Sequence, residues 1–169
     1  AASGDLNNDG FEDVVVSITR DLPYYEGAYI QILINDGNGE LLDMTNTNFP
    51  VQPRSDTHHG EGNIYLRDMN LDGNLDIIHS TRDYNSGYHG AHIAINNGNA
   101  YFVSIDNSDL PMKPDPGNNN YDYLMKALPI NIDGEGCLDF ISVTDAGWEN
   151  SSEETSNYFF SVLNVNCNF

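Results

Sequence analysis

Apolar positions along this chain come in short runs with a period near two, and Asn, Asp, Gly or Pro interrupts every longer window. That pattern predicts short strands and no helix. Val14–Ile18 is a β-branched run of the kind that suits a pleated surface. A polar stretch follows, then Ala28–Ile34, then the turn Asn35-Asp36-Gly37-Asn38-Gly39, then Glu40–Thr45. Asn and Gly tolerate positive φ, so residues 35–39 read as a hairpin turn. The succession returns as Ile77–Ser80, Ala91–Ile95, the turn Asn96–Asn99 and Ala100–Ile105. It returns again as Phe140–Val143 and Tyr158–Leu163. Two further runs, 63–67 and 123–130, lead into the second and third sets.

Each set opens with an acidic loop. The loops are Asp5-Leu-Asn-Asn-Asp-Gly-Phe-Glu-Asp13, Asp68-Met-Asn-Leu-Asp-Gly-Asn-Leu-Asp76 and Asn131-Ile-Asp-Gly-Glu-Gly-Cys-Leu-Asp139. Both intervals are 63 residues, from 5 to 68 and from 68 to 131. The pairs Gly27-Ala28 and Gly90-Ala91 are also 63 apart and align the second strands. A single region, 1–169, thus divides into repeats of approximately 1–60, 61–120 and 121–169. Four antiparallel strands repeated at this length are propeller blades, because a β-helix has a much shorter period. The expected fold is all-β, with antiparallel four-stranded blades of a β-propeller, about three of them present. A closed ring needs about four to eight blades. Further blades, from the same or another chain, are therefore expected.

Charge narrows the partners. Six Lys and Arg face 26 Asp and Glu, for a formal charge of -20. A phosphate backbone or an anionic membrane surface needs a basic face, so nucleic acid and membrane binding are excluded as expectations. Crowded carboxylates call for a cation. No run of about 18 apolar residues occurs, so membrane insertion is not expected. Aromatics at 11% favour a folded chain over an acidic disordered one.

The loops and their spacing resemble the FG-GAP/VCBS repeat family, the integrin-α-like β-propellers, over essentially the whole chain. In that family the loop D-x-[DN]-x-D-G-x-x-D joins two strands of a blade and binds calcium. The resemblance implies three calcium ions, one per repeat. The first would be held by Asp5, Asn7, Asp9, the Phe11 carbonyl and Asp13, and the second by Asp68, Asn70, Asp72, the Asn74 carbonyl and Asp76. The third would use Asn131, Asp133, Glu135, the Cys137 carbonyl and Asp139. This third loop departs from the pattern, with Asn131 for the usual Asp and Glu135 at the third acidic position.

The residue types suit that ion. Calcium takes six to eight oxygen ligands with loose geometry, and Gly at the sixth position permits the reversal. An EF-hand would be followed by a helix, whereas a β-rich run follows here. Zinc prefers His and Cys. An Asx-turn hairpin that binds nothing is the alternative. Treating the strands of the third repeat as a hairpin with Phe140 opposite Asn164 sets Cys137 opposite Cys167. A disulfide is expected there, in an oxidising compartment, against the alternative of two buried thiols.

Loops on the edge opposite the acidic ones carry Tyr24, Tyr25, His58, His59, Arg82, Tyr84, Tyr88, His89 and Trp148. Aromatics beside carboxylates and Arg suit sugar rings or a protein partner. Packing between blades is the bland reading. His58, His59, His79, His89 and His92 would be a second metal site only if they converged, and His79 and His92 fall within strands. Three functions remain open: an extracellular or cell-surface (secreted) module that binds glycan or protein in adhesion, a propeller of a polysaccharide lyase or hydrolase, and a structural repeat. No catalytic spacing motif occurs, so the enzyme reading is the weaker.

Overall fold

A computed structural model describes residues 1–19, 28–51, 64–82, 89–105, 128–132, 134, 138–145 and 158–163. The described strands form three antiparallel sheets. Strands β1 (Ala2–Gly4), β2 (Asp13–Thr19), β3 (Ala28–Asn35) and β4 (Leu41–Asp43) make the first. After the helical turn α1 (Thr45–Asn48) come β5 (Ile64–Arg67), β6 (Asp76–Arg82), β7 (His89–Asn96) and β8 (Phe102–Ser104), the second. Strands β9 (Leu128–Ile130), β10 (Asp139–Asp145) and β11 (Tyr158–Leu163) make the third. In each sheet, strands adjacent in sequence are adjacent in space. These are antiparallel blades of a β-propeller, three of them, with four strands described in each of the first two.

The blades repeat in register. Gly4 pairs with Asp13, Arg67 with Asp76, and Ile130 with Asp139, so the 63-residue spacing holds for the first two strands. The third strand follows another interval. Val14 pairs with Leu33, while Ile77 pairs with Ala94, which shifts the third strand by 61 residues. The Gly27-Ala28 and Gly90-Ala91 pairs are therefore not equivalent, and the counterpart of Ala28 is His89. The connection between the second and third strands is two residues shorter in blade 2. Arg82 and His89 are strand residues paired with each other rather than loop residues.

Two outer strands also differ from the alternating pattern. β4 ends at Asp43 and α1 replaces its expected last residues. Thr45 is the cause: its hydroxyl donates to Asp43 Oδ1 at 2.6 Å and accepts the Ile32 N–H at 2.9 Å. A side chain thus replaces a carbonyl in the ladder, and the backbone is released to coil. β8 begins at Phe102 rather than Ala100, because Ala100 has φ 56 and belongs to the turn. In the third blade Phe140 pairs with Leu163, not Asn164. A one-residue slip moves every side chain to the other face. The register that set Cys137 opposite Cys167 is therefore absent, and both cysteines lie outside the described residues.

The core lies between the first two blades. Val15, Ile30 and Ile32 of blade 1 meet Ile64, Leu66, Ile77 and Phe102 of blade 2. The rings of Phe49 and Phe102 are 6.1 Å apart and tilted by 57°. Alternation along β2 and β3 turns Val14, Val16 and Leu33 to the other side, where they are half-buried. Counterparts thus differ in fate: Phe102 is 1% exposed, while Leu41, at the same place in blade 1, is 47% exposed. Replacing Phe102 with Ala should cost about 3–5 kcal/mol of unfolding free energy. Leu41→Ala in dilute protein should stay within about 0.5 kcal/mol. Urea denaturation distinguishes them, and equal losses would contradict this interface.

Candidate metal centres

Loops 5–13 and 68–76 fold alike, bond for bond. Asp5 Oδ1 accepts the Asp9 N–H at 3.1 Å and its Oδ2 the Gly10 N–H at 2.9 Å. Asp68 does the same for Asp72 and Gly73, at 2.9 and 2.7 Å. Asn7 donates to Asp9 Oδ2 at 2.8 Å, and Asn70 to Asp72 Oδ2 at 3.0 Å. The other oxygen of Asp9 accepts from Phe11 N–H at 2.9 Å, and that of Asp72 from Asn74 N–H at 2.8 Å. Two left-handed residues make the bend. Gly10 and Gly73 have φ 91 and 93, which glycine adopts freely. Asn8 and Leu71 have φ 60 and 57. The conformation costs a residue such as Leu71 roughly 1–2 kcal/mol.

The last acidic residue of each loop is buried at the head of a strand. Asp13 Oδ2 accepts the Leu6 N–H at 2.9 Å and Oδ1 the Asn35 N–H at 2.8 Å. Asp76 takes the Met69 N–H at 2.7 Å and the Asn96 N–H at 2.8 Å. Each carboxylate thus ties its loop to the end of the third strand. Burial pushes the Asp13 carboxyl above the usual carboxylate range, and the Asn35 and Leu6 N–H groups only partly offset it. Burial pushes Asp76 up to about 6, against the Asn96 and Met69 N–H groups, with Asp72 and Asp68 adding repulsion.

Among the described residues no three His, Cys, Asp or Glu side chains are gathered as a ready cage. The donor set nevertheless fits a hard cation, since every group in the two loops is a carboxylate, amide or carbonyl oxygen. Each carboxylate oxygen that accepts one N–H keeps a further lone pair. Phe11 and Asn74 occupy the same loop position and lie on the hairpin turn of their own blade. A Cβ built on Gly37 would meet the Phe11 ring at 2.8 Å, and one on Gly98 would meet Asn74 Oδ1 at 2.9 Å.

In the third loop Asn131 Oδ1 accepts from Gly134 N–H at 2.6 Å. Gly134, with φ 78, stands where Asn8 and Leu71 stand in the other loops. Asp139 heads β10, opposite Ile130. Asp133, Glu135 and Cys137 lie outside the described residues, as do Tyr24, Tyr25, His58, His59, Tyr84, Tyr88 and Trp148. Arg82 and His89 have described backbone only, at the end of the ladder away from Asp76. The pair His79 and His92 is opposed in the ladder of blade 2, within strands as expected. His79 is buried and its Nε2 lies 2.7 Å from Ser17 Oγ, which joins blades 1 and 2 in mid-sheet.

Pattern reading overlooked the residues that tie blade to blade. The Leu6 carbonyl accepts from Asn96 Nδ2 at 2.8 Å and from Ala100 N–H at 3.1 Å. Asn8 Nδ2 donates to Asn74 Oδ1 at 3.0 Å and to the Gly98 carbonyl at 3.2 Å. The Met69 carbonyl accepts from Leu138 N–H at 3.0 Å, joining blade 2 to blade 3. The recurrence of Leu6, Met69 and Ile132 at 63-residue steps was the available signal.

Asp76 has a testable consequence. Its folded pKa, about 6, lies above the ordinary 3.8, so the folded chain holds this proton more tightly than the unfolded chain. Folding is therefore favoured on the acid side, and that contribution is lost as pH rises from about 4 to about 6. Melting midpoints in chelator should fall over that window, and Asp76→Asn should flatten the fall. An unchanged slope in the variant would assign it elsewhere.

Residues 5–79, spanning blade 1 and the opening of blade 2, match the family model of the FG-GAP-like repeat. Comparisons with curated proteins and with solved structures give no match. Over residues 5–79, therefore, this chain carries an FG-GAP-like repeat.

Proposed function

We propose that this chain is a calcium-stabilised β-propeller module, working outside the cell or at its surface, that binds a glycan or protein ligand. One observation carries the calcium reading: two loops 63 residues apart make the same set of hydrogen bonds around the same oxygen donors. In the first two loops Asp5, Asn7, Asp9 and Asp13, and Asp68, Asn70, Asp72 and Asp76, would hold the ion, with the Phe11 and Asn74 carbonyls. A bound divalent cation supplies positive charge where three carboxylates otherwise repel one another. It also favours the ionised form of Asp76 and so opposes the acid-side preference of the bare loop. Asn131, Asp133, Glu135, the Cys137 carbonyl and Asp139 would hold a third.

The ligand reading rests on placement. The acidic loops precede the heads of β2 and β6, and the far ends of those strands, at Thr19 and Arg82, lie on the opposite edge. Binding residues concentrate on loops held by a rigid scaffold. Among the described residues no helix is long and apolar enough to cross a membrane. The FG-GAP-like repeat supports a surface or secreted setting.

Calcium should raise the melting midpoint by several degrees over EDTA-treated protein, and Asp9→Ala with Asp72→Ala should remove most of that rise. An unchanged midpoint would refute the calcium reading. On a glycan array, binding that is lost in a His58→Ala, Tyr84→Ala, Trp148→Ala variant of unaltered melting would support the ligand face. Turnover of an acidic polysaccharide would instead make the module an enzyme.

A further inference from the structure

Loops 5–13 and 68–76 are wired to each other. Leu6 separates Asp5 from Asn7, and Asn8 separates Asn7 from Asp9. Both of these intervening residues reach into blade 2. Displacing either one displaces a candidate ligand of the first loop on each side of it.

Both contacts lead to candidate ligands of the second loop. Asn8 Nδ2 donates to Asn74 Oδ1 at 3.0 Å and to the Gly98 carbonyl at 3.2 Å. Asn74 is the residue whose carbonyl the second loop would offer, and its N–H donates to Asp72 Oδ1 at 2.8 Å. The Leu6 carbonyl accepts from Asn96 Nδ2 at 2.8 Å, and the Asn96 N–H donates to Asp76 Oδ1 at 2.8 Å. Loop 1 thus touches the seventh position of loop 2 directly and the ninth through Asn96.

The relay is held in place. Asn96 is 1% exposed, its Oδ1 accepts the Gly98 N–H at 3.0 Å, and its Nδ2 also donates to the Leu75 carbonyl at 3.0 Å. A buried amide with each polar atom bonded moves only if several bonds break together. Gly98 joins the two routes, since its carbonyl meets Asn8 and its N–H meets Asn96. The bend at residue 8 is suited to the task, because Asn is among the few side chains that enter the left-handed region readily. Leu71 has nearly the same φ but carries no amide, so this position of loop 2 has no such donor to offer blade 3.

We propose that the first two loops bind their cations cooperatively, with Asn8 as the positioning residue that carries the coupling. The inference rests on the calcium reading above. An ion held in one loop fixes the residues on which the other loop leans, so the second ion meets a site that is already ordered. The coupling is reciprocal, because whatever the first site lends the second, the second returns.

Calcium titration of the chelator-treated 169-residue chain tests this, followed by the amide signals of Gly10 and Gly73 in a nitrogen–proton correlation spectrum. Each N–H donates to the first Asp of its own loop, so the two signals read the two loops separately. In the parent chain they should move together, more steeply than independent sites allow. Asp72→Ala should raise the calcium concentration at the Gly10 midpoint at least about fivefold, although Asp72 is no part of loop 1. Asn8→Gly keeps the left-handed backbone available and should raise the Gly73 midpoint by a similar factor. In the Asn8→Gly chain, Asp72→Ala should add much less to the Gly10 midpoint than it does alone. A Gly10 midpoint indifferent to Asp72→Ala, with both signals moving in the parent, would overturn the coupling and leave the calcium reading standing. Equal effects of Asp72→Ala with and without the Asn8 side chain would overturn its role. Signals that calcium leaves unmoved would refute the calcium reading and the coupling together.

Discussion

A buried carboxylate at the head of the second strand organises blades 1 and 2. Asp13 and Asp76 each accept two backbone N–H groups, one from the acidic loop and one from the end of the third strand. Without that bridge, the loop N–H groups of Leu6 and Met69 would be buried without partners, at about 1–3 kcal/mol each. The bridge also fixes the next residues in space. With the Leu6 amide held by Asp13, its carbonyl points to blade 2, where Asn96 and Ala100 receive it. Loop, blade and blade contact are thus one connected network.

The network has an electrostatic weakness. Burial and the nearby Asp68 and Asp72 make ionisation of Asp76 costly. A cation bound among the same oxygens, as proposed, would relieve repulsion at the point on which the blade contact depends. Ion binding and blade cohesion would then be coupled through the bond from Asp76 to Met69, whose carbonyl reaches blade 3.

Much of the candidate site was legible from spacing. The 63-residue interval located all three loops, and the Asx-rich pattern named the oxygen donors before any geometry was known. Less legible was what the ninth loop residue does. Its hydrogen bonds run to Asn35 and Asn96, some twenty residues away, which no local pattern reports. The Gly-Ala pairs misled because identical dipeptides at the right interval do not reveal a connection shortened by two residues. Register in a hairpin is set by loop length and cross-strand bonding. The same reason undid the alignment of Phe140 with Asn164.

By itself the sequence determined the alphabet of the fold: β-branched runs, Asn-Gly turns and carboxylates at fixed intervals dictate short antiparallel strands and an oxygen-rich loop. These are local properties, written in residues near one another in the chain. Tertiary structure alone decided which copies of a repeated position are buried. Leu6 and Ile132 are nearly the same residue in nearly the same loop, yet one is sealed and the other exposed. Burial belongs to the neighbour that covers a residue, and a neighbour 90 positions away, such as Asn96 to Leu6, is fixed only when the sheets pack.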